Sequence, residues 1–245
     1  MRHYIPNFIT LLNLFCGSCA VVAIINGQVE WTLALLAFSI VADYLDGATA
    51  AALKVKSTLG KELDSLADMV TFGLLPGVIL YQMLAGQSGD TPGFQELLWP
   101  FTPVFVITLF SALRLAKFNI DTRQSENFLG LPTPSSTIFV AGLLAIHHYD
   151  SFGLAGFVAQ PWLLIGAAIF LSYLLVSEIP MFNLKMTHFK WSGNEIKYTF
   201  AGVSIGLLVV LGIAGPASII LLYILLNLGL YWFGATSPDG TEKNA

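Results

Sequence analysis

Eight apolar runs, each near the length needed to cross a bilayer, dictate what this chain can become. They fall at about 8–26, 31–53, 61–84, 98–119, 132–149, 160–179, 196–214 and 216–234. About 20 apolar residues in a helix span the hydrocarbon layer, where a helix satisfies its own backbone polar groups. The expected fold class is therefore all-α: a polytopic transmembrane bundle of about eight spanning helices. Charged residues make up 11% of the chain, less than half the share of about 25% usual in soluble domains. One transmembrane domain is expected over 1–234, followed by a short polar tail, 235–245. The first run is long enough to span and lacks an A-x-A-like site, so it is expected to remain as a helix rather than be cleaved as a leader.

The basic residues orient the bundle. Arg2 precedes the first run; Lys54, Lys56 and Lys61 flank the second connection; Arg114, Lys117 and Arg123 flank the fourth. Lys185, Lys190 and Lys197 flank the sixth, and Lys243 lies in the tail. Alternating spans put all of them on one side, while the opposite loops carry Glu30, Asp90, Glu96 and Asp150. By the positive-inside rule, both termini and the second connection are expected in the cytoplasm. The net charge of −4 and the absence of a basic cluster give no reason to expect nucleic-acid binding. Trp31, Trp99, Trp162, Trp191 and Trp232 sit near span ends, as interfacial anchors do. His3, His147, His148 and His188 are not spaced as a metal set, and Cys16 and Cys19 read as small packing residues inside an apolar run.

Four carboxylates break the apolar pattern: Asp43 and Asp46 at the end of the second run, Asp64 and Asp68 at the start of the third. A charged carboxylate persists at membrane depth only when paired, hydrated or bound to metal. On a helix, Asp43, Asp46, Gly47 and Ala50 fall within an arc of about 100°, and Asp64 and Asp68, four apart, share a face. Leu53 to Gly60 is polar enough to turn the chain between the two helices. Folding that hairpin brings the acidic faces together, where hard divalent cations, Mg²⁺ or Mn²⁺, would relieve their repulsion. Gly47, Ala50 and Gly60 would leave room for a bulky ligand beside them.

This stretch resembles the signature of the CDP-alcohol phosphotransferase family, D-x-x-D-G-x-x-A-R-x(8)-G-x(3)-D-x(3)-D. Asp43, Asp46, Gly47, Ala50, Gly60, Asp64 and Asp68 are in register, and Ala51 stands where the family has Arg. Pro6-Asn7-x-x-Thr10 is similar to the family's opening segment, whose polar residues lie near the nucleotide. With Asn13, these residues share a face that either approaches the site or makes interhelical hydrogen bonds. Arg114 to Asn119 and Phe128 to Pro134 resemble the R-L-A-R-F-N and F-x-G-L-P-x-P segments of the phosphatidylserine synthase branch, with Lys117 in place of an Arg. Ser177 to Pro180, with Asn183 and Lys185, is similar to that branch too.

The resemblance implies transfer of a phosphatidyl group from CDP-diacylglycerol to L-serine, giving phosphatidylserine and CMP. It implies two divalent cations held by Asp43, Asp46, Asp64 and Asp68, with Asp68 as base for the serine hydroxyl. Asn7, Thr10, Asp43, Gly47, Ala50 and Gly60 would line the nucleotide site. Lys54, Arg114, Lys117 and Asn119 are candidates for the lipid phosphate or the serine carboxylate. A homodimer in membrane lipid, in a bacterial cytoplasmic membrane with the site on the cytoplasmic side, is expected. Glycerol 3-phosphate or inositol phosphate as acceptor remains an alternative. So does an inactive relative, which Ala51 alone supports. A divalent-cation transporter is disfavoured, because no carboxylate lies in mid-bilayer to continue a path. The last two runs carry no readable motif beyond Gly202-x-x-x-Gly206, which suits close helix packing.

Overall fold

The first helix shows why the chain folds as it does. In α1 (Tyr4–Ile25) the buried positions Pro6, Thr10, Asn13, Gly17, Ala20 and Ile24 recur every three or four residues. In α2 (Val29–Ala52) Thr32, Leu36, Ser39, Ala42 and Asp46 do the same. Each helix therefore has one inward stripe, and the two make the largest helix–helix interface of the bundle. The stripes are small and polar rather than bulky, as close helix packing in lipid requires. This computed structural model describes residues 4–55, 57–86, 99–120, 128–182 and 194–232. Arg2, His3, Lys56, Asp90, Glu96, Arg123, Asn183, Lys185, His188, Lys190, Trp191, Lys243 and the tail lie outside the described residues.

After a turn at residues 53–57, α3 (Thr58–Asp68) begins. Ser57 is its N-cap, extended at φ −129° and ψ 128°, and its hydroxyl accepts from the Gly60 N–H. The turn is thus shorter than the sequence suggests, and Gly60 belongs to the helix. A π-helical segment, Met69–Leu74, continues α3 into α4 (Leu75–Ala85). There the Leu75 N–H reaches back to the Val70 carbonyl, and Pro76 next to it has no N–H to give. Threonines from two other helices bind the carbonyls of this segment. Thr137 Oγ1 donates to Phe72 O at 3.0 Å, and Thr108 Oγ1 donates to Gly73 O at 2.9 Å.

The rest follows as 3₁₀ turn Trp99–Phe105, α5 (Val106–Ile120), strand β1 (Phe128–Leu129), α6 (Thr133–Tyr149), α7 (Ala155–Val158) and α8 (Pro161–Val176). Strand β2 (Pro180–Met181), α9 (Glu195–Leu211) and α10 (Gly215–Trp232) complete it. Pro103 sits inside the 3₁₀ turn, so the fourth apolar run becomes α-helical only from Val106. β1 and β2 pair antiparallel, Phe128 opposite Met181 and Leu129 opposite Pro180. The core lies among α4, α5, α6 and α8, around Phe72, Leu75, Ile79, Ile107, Leu171 and Leu175.

The architecture is all-α, as the apolar runs require, and the chain is an integral membrane protein. Among the described residues, five helical stretches are long and apolar enough to cross a membrane: Tyr4–Ile25, Val29–Ala52, Thr58–Ala85, Thr102–Ile120 and Glu195–Trp232. The fifth and sixth runs form helices of 17 and 16 residues. The seventh and eighth are broken at Gly212, whose φ is +52°.

Candidate active site

Three of the four carboxylates of α2 and α3 come together. Oxygen atoms of Asp43, Asp64 and Asp68 all lie within 4.8 Å of one another. Both helices pack on α1, and Asp43 of α2 meets Asp68 of α3 there. The Asp43 and Asp68 carboxyls come within hydrogen-bonding reach. Carboxylates this close repel unless a proton or cation lies among them. An all-oxygen set of this kind fits a hard divalent cation. Asp46 stands outside that triad. Its Oδ2 accepts a 2.6 Å hydrogen bond from Thr10 Oγ1, which also contacts the Pro6 carbonyl at 3.1 Å.

The polar face of α1 meets the acids directly, through contacts that are also interhelical. Thr10 holds Asp46, and Asn13 Nδ2 points at Asp68 Oδ1 from 3.5 Å. Asn13 is fully buried, and its Oδ1 has no partner among the described residues. The Asn13 carbonyl oxygen accepts from Ser39 Oγ and Thr71 Oγ1, at 3.3 and 3.4 Å. Gly17 allows this approach, because a methyl there would overlap the Thr71 hydroxyl.

Beside the acids opens a pocket of about 600 Å³. Asp46, Gly47 and Ala50 of α2, Gly60 and Asp64 of α3, and Asn7 and Thr10 of α1 line it. A methyl at Gly47 would meet nothing within 4 Å, whereas one at Gly60 would stand 3.1 Å from Asn7 Oδ1. Gly47 thus leaves open volume, and Gly60 lets the first turn of α3 approach α1. Val55, Ser57, Thr58 and Lys61 also line the pocket. Lys61, read in the sequence only as an orienting charge, is the pocket residue that spacing did not single out. Its place next to Gly60 was the available signal.

The remaining candidates separate. Lys54 and Lys117 are exposed and do not line this pocket. Lys54 ends α2 in the left-handed region, at φ +53°. Ala51 is exposed and outside the pocket wall. Asn119 braces α5 against α3: its Nδ2 donates to Ser65 Oγ at 2.8 Å, and its carbonyl accepts from Lys61 Nζ at 2.7 Å. Arg114 is buried, with Nε donating to the Leu131 carbonyl at 2.6 Å and the guanidinium 5.8 Å over the Phe118 ring.

The segments around Arg114, Gly130 and Ser177 come together here. Gly130 N donates to Ile179 O at 3.0 Å, and Leu131 N donates to Leu174 O at 2.9 Å. Gly130 has φ +76°, and a methyl there would lie 2.8 Å from the carbonyl oxygens of Leu175 and Ser177. Only glycine suits both demands. The last helix, which carries no motif, supports this cluster. Asn227 Oδ1 accepts from Phe182 N at 2.8 Å, and Tyr223 OH donates to Phe182 O at 3.0 Å.

The chain matches the family model described as CDP-alcohol phosphatidyltransferase over residues 3–174. It is similar to proteins named CDP-diacylglycerol–serine O-phosphatidyltransferase. With that of Mycobacterium leprae it shares 37% identity over 185 residues, 72% of this chain and 57% of that protein. With that of Bacillus subtilis it shares 32% over 193 residues, 79% and 95% of the two chains. With that of Helicobacter pylori strain J99 it shares 32% over 189 residues, 76% and 74%. The match thus spans little more than half of the mycobacterial relative but nearly all of the Bacillus one.

Proposed function

Since the chain belongs to the CDP-alcohol phosphatidyltransferase family, we propose that it transfers the phosphatidyl group of CDP-diacylglycerol to L-serine. The observation that carries this reading is the meeting of Asp43, Asp64 and Asp68 beside a pocket walled by Asp46, Gly47, Ala50 and Gly60. The names of the bacterial relatives support serine as acceptor. So does the cluster of Arg114, Gly130 and Ile179, built from the segments that resemble the phosphatidylserine synthase branch.

In the proposed reaction the serine hydroxyl oxygen bonds to the phosphorus that carries diacylglycerol. The bond from that phosphorus to the CMP oxygen breaks, and the hydroxyl proton leaves to a base. Asp68 is that base: it stands one turn past Asp64 on α3, and the Asn13 amide approaches it at 3.5 Å. Asp43, Asp46, Asp64 and Asp68 would hold two Mg²⁺ or Mn²⁺ ions, which when bound supply charge neutralisation for the diphosphate and the departing CMP. Thr10 fixes the Asp46 carboxylate for that task. Gly47, Ala50 and Gly60 keep the pocket open for the nucleotide, and Asn7 offers it an amide. Arg114, a buried cation on α5, attracts the serine carboxylate. Its Nε is already committed to Leu131, so the other guanidinium N–H groups serve the substrate.

We further read the chain as one domain of eight spans over 1–234, with 235–245 as a tail. It forms a homodimer in a bacterial cytoplasmic membrane, with the hairpin and both termini on the cytoplasmic side. The one-sided distribution of Lys and Arg supports this orientation. The test supplies purified protein and Mn²⁺ or Mg²⁺ with CDP-diacylglycerol and, separately, labelled L-serine, glycerol 3-phosphate and inositol phosphate. Labelled phosphatidylserine and CMP are expected. A larger yield from glycerol 3-phosphate or inositol phosphate refutes the acceptor assignment.

A further inference from the structure

Among the described residues that line the pocket, Asp46 and Asp64 are acidic and Lys61 is basic. This matters for any ligand carrying a diphosphate. Four aspartates carry about four negative charges, which two divalent cations would only balance. A diphosphate diester then brings further negative charge that those ions do not offset. Lys54, in the turn itself, does not line the pocket and leaves α2 in a left-handed conformation.

We propose that Lys61 is a protein cation that meets the diphosphate of a cytidine-diphosphate donor, a role that rests on the reading of the site as a CDP-alcohol site. Lys61 stands in the first turn of α3, whose N-terminal end Ser57, Thr58 and Gly60 present to the same pocket. Backbone N–H groups and the helix dipole at such an end favour an anion. The Lys61 ammonium already donates to the Asn119 carbonyl at 2.7 Å, which fixes the side chain at the junction of α3 and α5. An ammonium has three donors, so the bond to Asn119 leaves two for phosphate oxygens. The bond to Asn119 also links donor binding to α5, the helix that carries Arg114.

The test measures binding rather than turnover. Titrate the purified full chain, in detergent with Mn²⁺, with cytidine, CMP and CDP by calorimetry. Compare the parent with Lys61→Ala and Lys61→Gln. Glutamine loses the charge but keeps an N–H donor for the Asn119 carbonyl. For both variants CDP affinity is expected to fall about tenfold, the low end for a charged hydrogen bond at a site open to water, while cytidine affinity stays unchanged. Two results overturn the proposal while leaving the site reading intact: unchanged CDP affinity in Lys61→Gln, or equal losses for cytidine and CDP. A parent that binds neither CMP nor CDP overturns the site reading itself, and this proposal with it.

Discussion

Replacing Gly17 by Ala tests whether the acids depend on how closely α1 approaches the helix that carries Asp68. The added methyl would overlap the Thr71 hydroxyl and stand 2.9 Å from Thr71 Cβ and 3.1 Å from Thr71 Cα. Carbon atoms rest about 3.5–4.0 Å apart. Even if the hydroxyl rotates away, the two helices must therefore separate by roughly 0.5–1 Å. Overpacking of this kind costs about 1–3 kcal/mol. Asn13, one turn before Gly17, reaches Asp68 at 3.5 Å, already the limit of a hydrogen bond, so any separation breaks it. A misplacement of about 1 Å can lower a rate by ~10²-fold. CMP release from CDP-diacylglycerol and serine in mixed micelles should fall between about tenfold and a hundredfold, with a lower unfolding temperature in detergent. Adding Thr71→Ala removes the hydroxyl but keeps Cβ, so it should restore activity only in part. Gly202→Ala, where a methyl meets nothing within 4 Å, is the control and should behave as the parent. A Gly17→Ala protein as active as that control would refute the argument that this contact sets the site.

Asp68→Asn keeps the shape of the side chain and removes its basicity; turnover should fall by about 10²–10⁴-fold while calorimetry with CDP and Mn²⁺ shows binding retained. Turnover within about tenfold of the parent would exclude Asp68 as the base. Gly130→Ala places a methyl 2.8 Å from two carbonyl oxygens at φ +76°, and should lower the unfolding temperature as overpacking by about 1–3 kcal/mol does. Equal melting curves would show that the segment relaxes freely. Protease tags at both termini should resist digestion in right-side-out vesicles until these are permeabilised, and cleavage from outside at either end would overturn the even number of spans.

The acidic site was legible because its grammar is local. Asp43 and Asp46, like Asp64 and Asp68, are set by the helical repeat, and a short polar turn keeps the two acidic segments near each other while both helices pack on α1. The apolar runs announced the helices for the same reason. What stayed hidden depends on packing between distant parts of the chain. Lys61 looked like one more orienting charge, since only the docking of α3 against α1 makes a pocket beside it. The split between Asp46, held by Thr10, and the triad of Asp43, Asp64 and Asp68 depends on the depth at which the helices cross. Asn227 and Tyr223 are polar side chains in an apolar run, and nothing local says that they serve the backbone near Phe182. The π-helical turn was invisible too, although Pro76 marks where the regular pattern must fail.

That turn bears on how the site could be moved or shortened. A π segment holds one more residue than the helix around it, and each residue advances a helix by roughly 100°. Met69–Leu74 thus works as a phase shifter. It lets Asp64 and Asp68 face the hairpin while Leu75 to Ala85 face a different set of neighbours. Deleting one residue there would restore a regular helix and turn either the acids or the core away from its partners. The hairpin is consequently not a portable module. A graft onto another bundle would have to carry the extra residue, together with Thr108 and Thr137, whose hydroxyls hold the displaced carbonyls from two other helices.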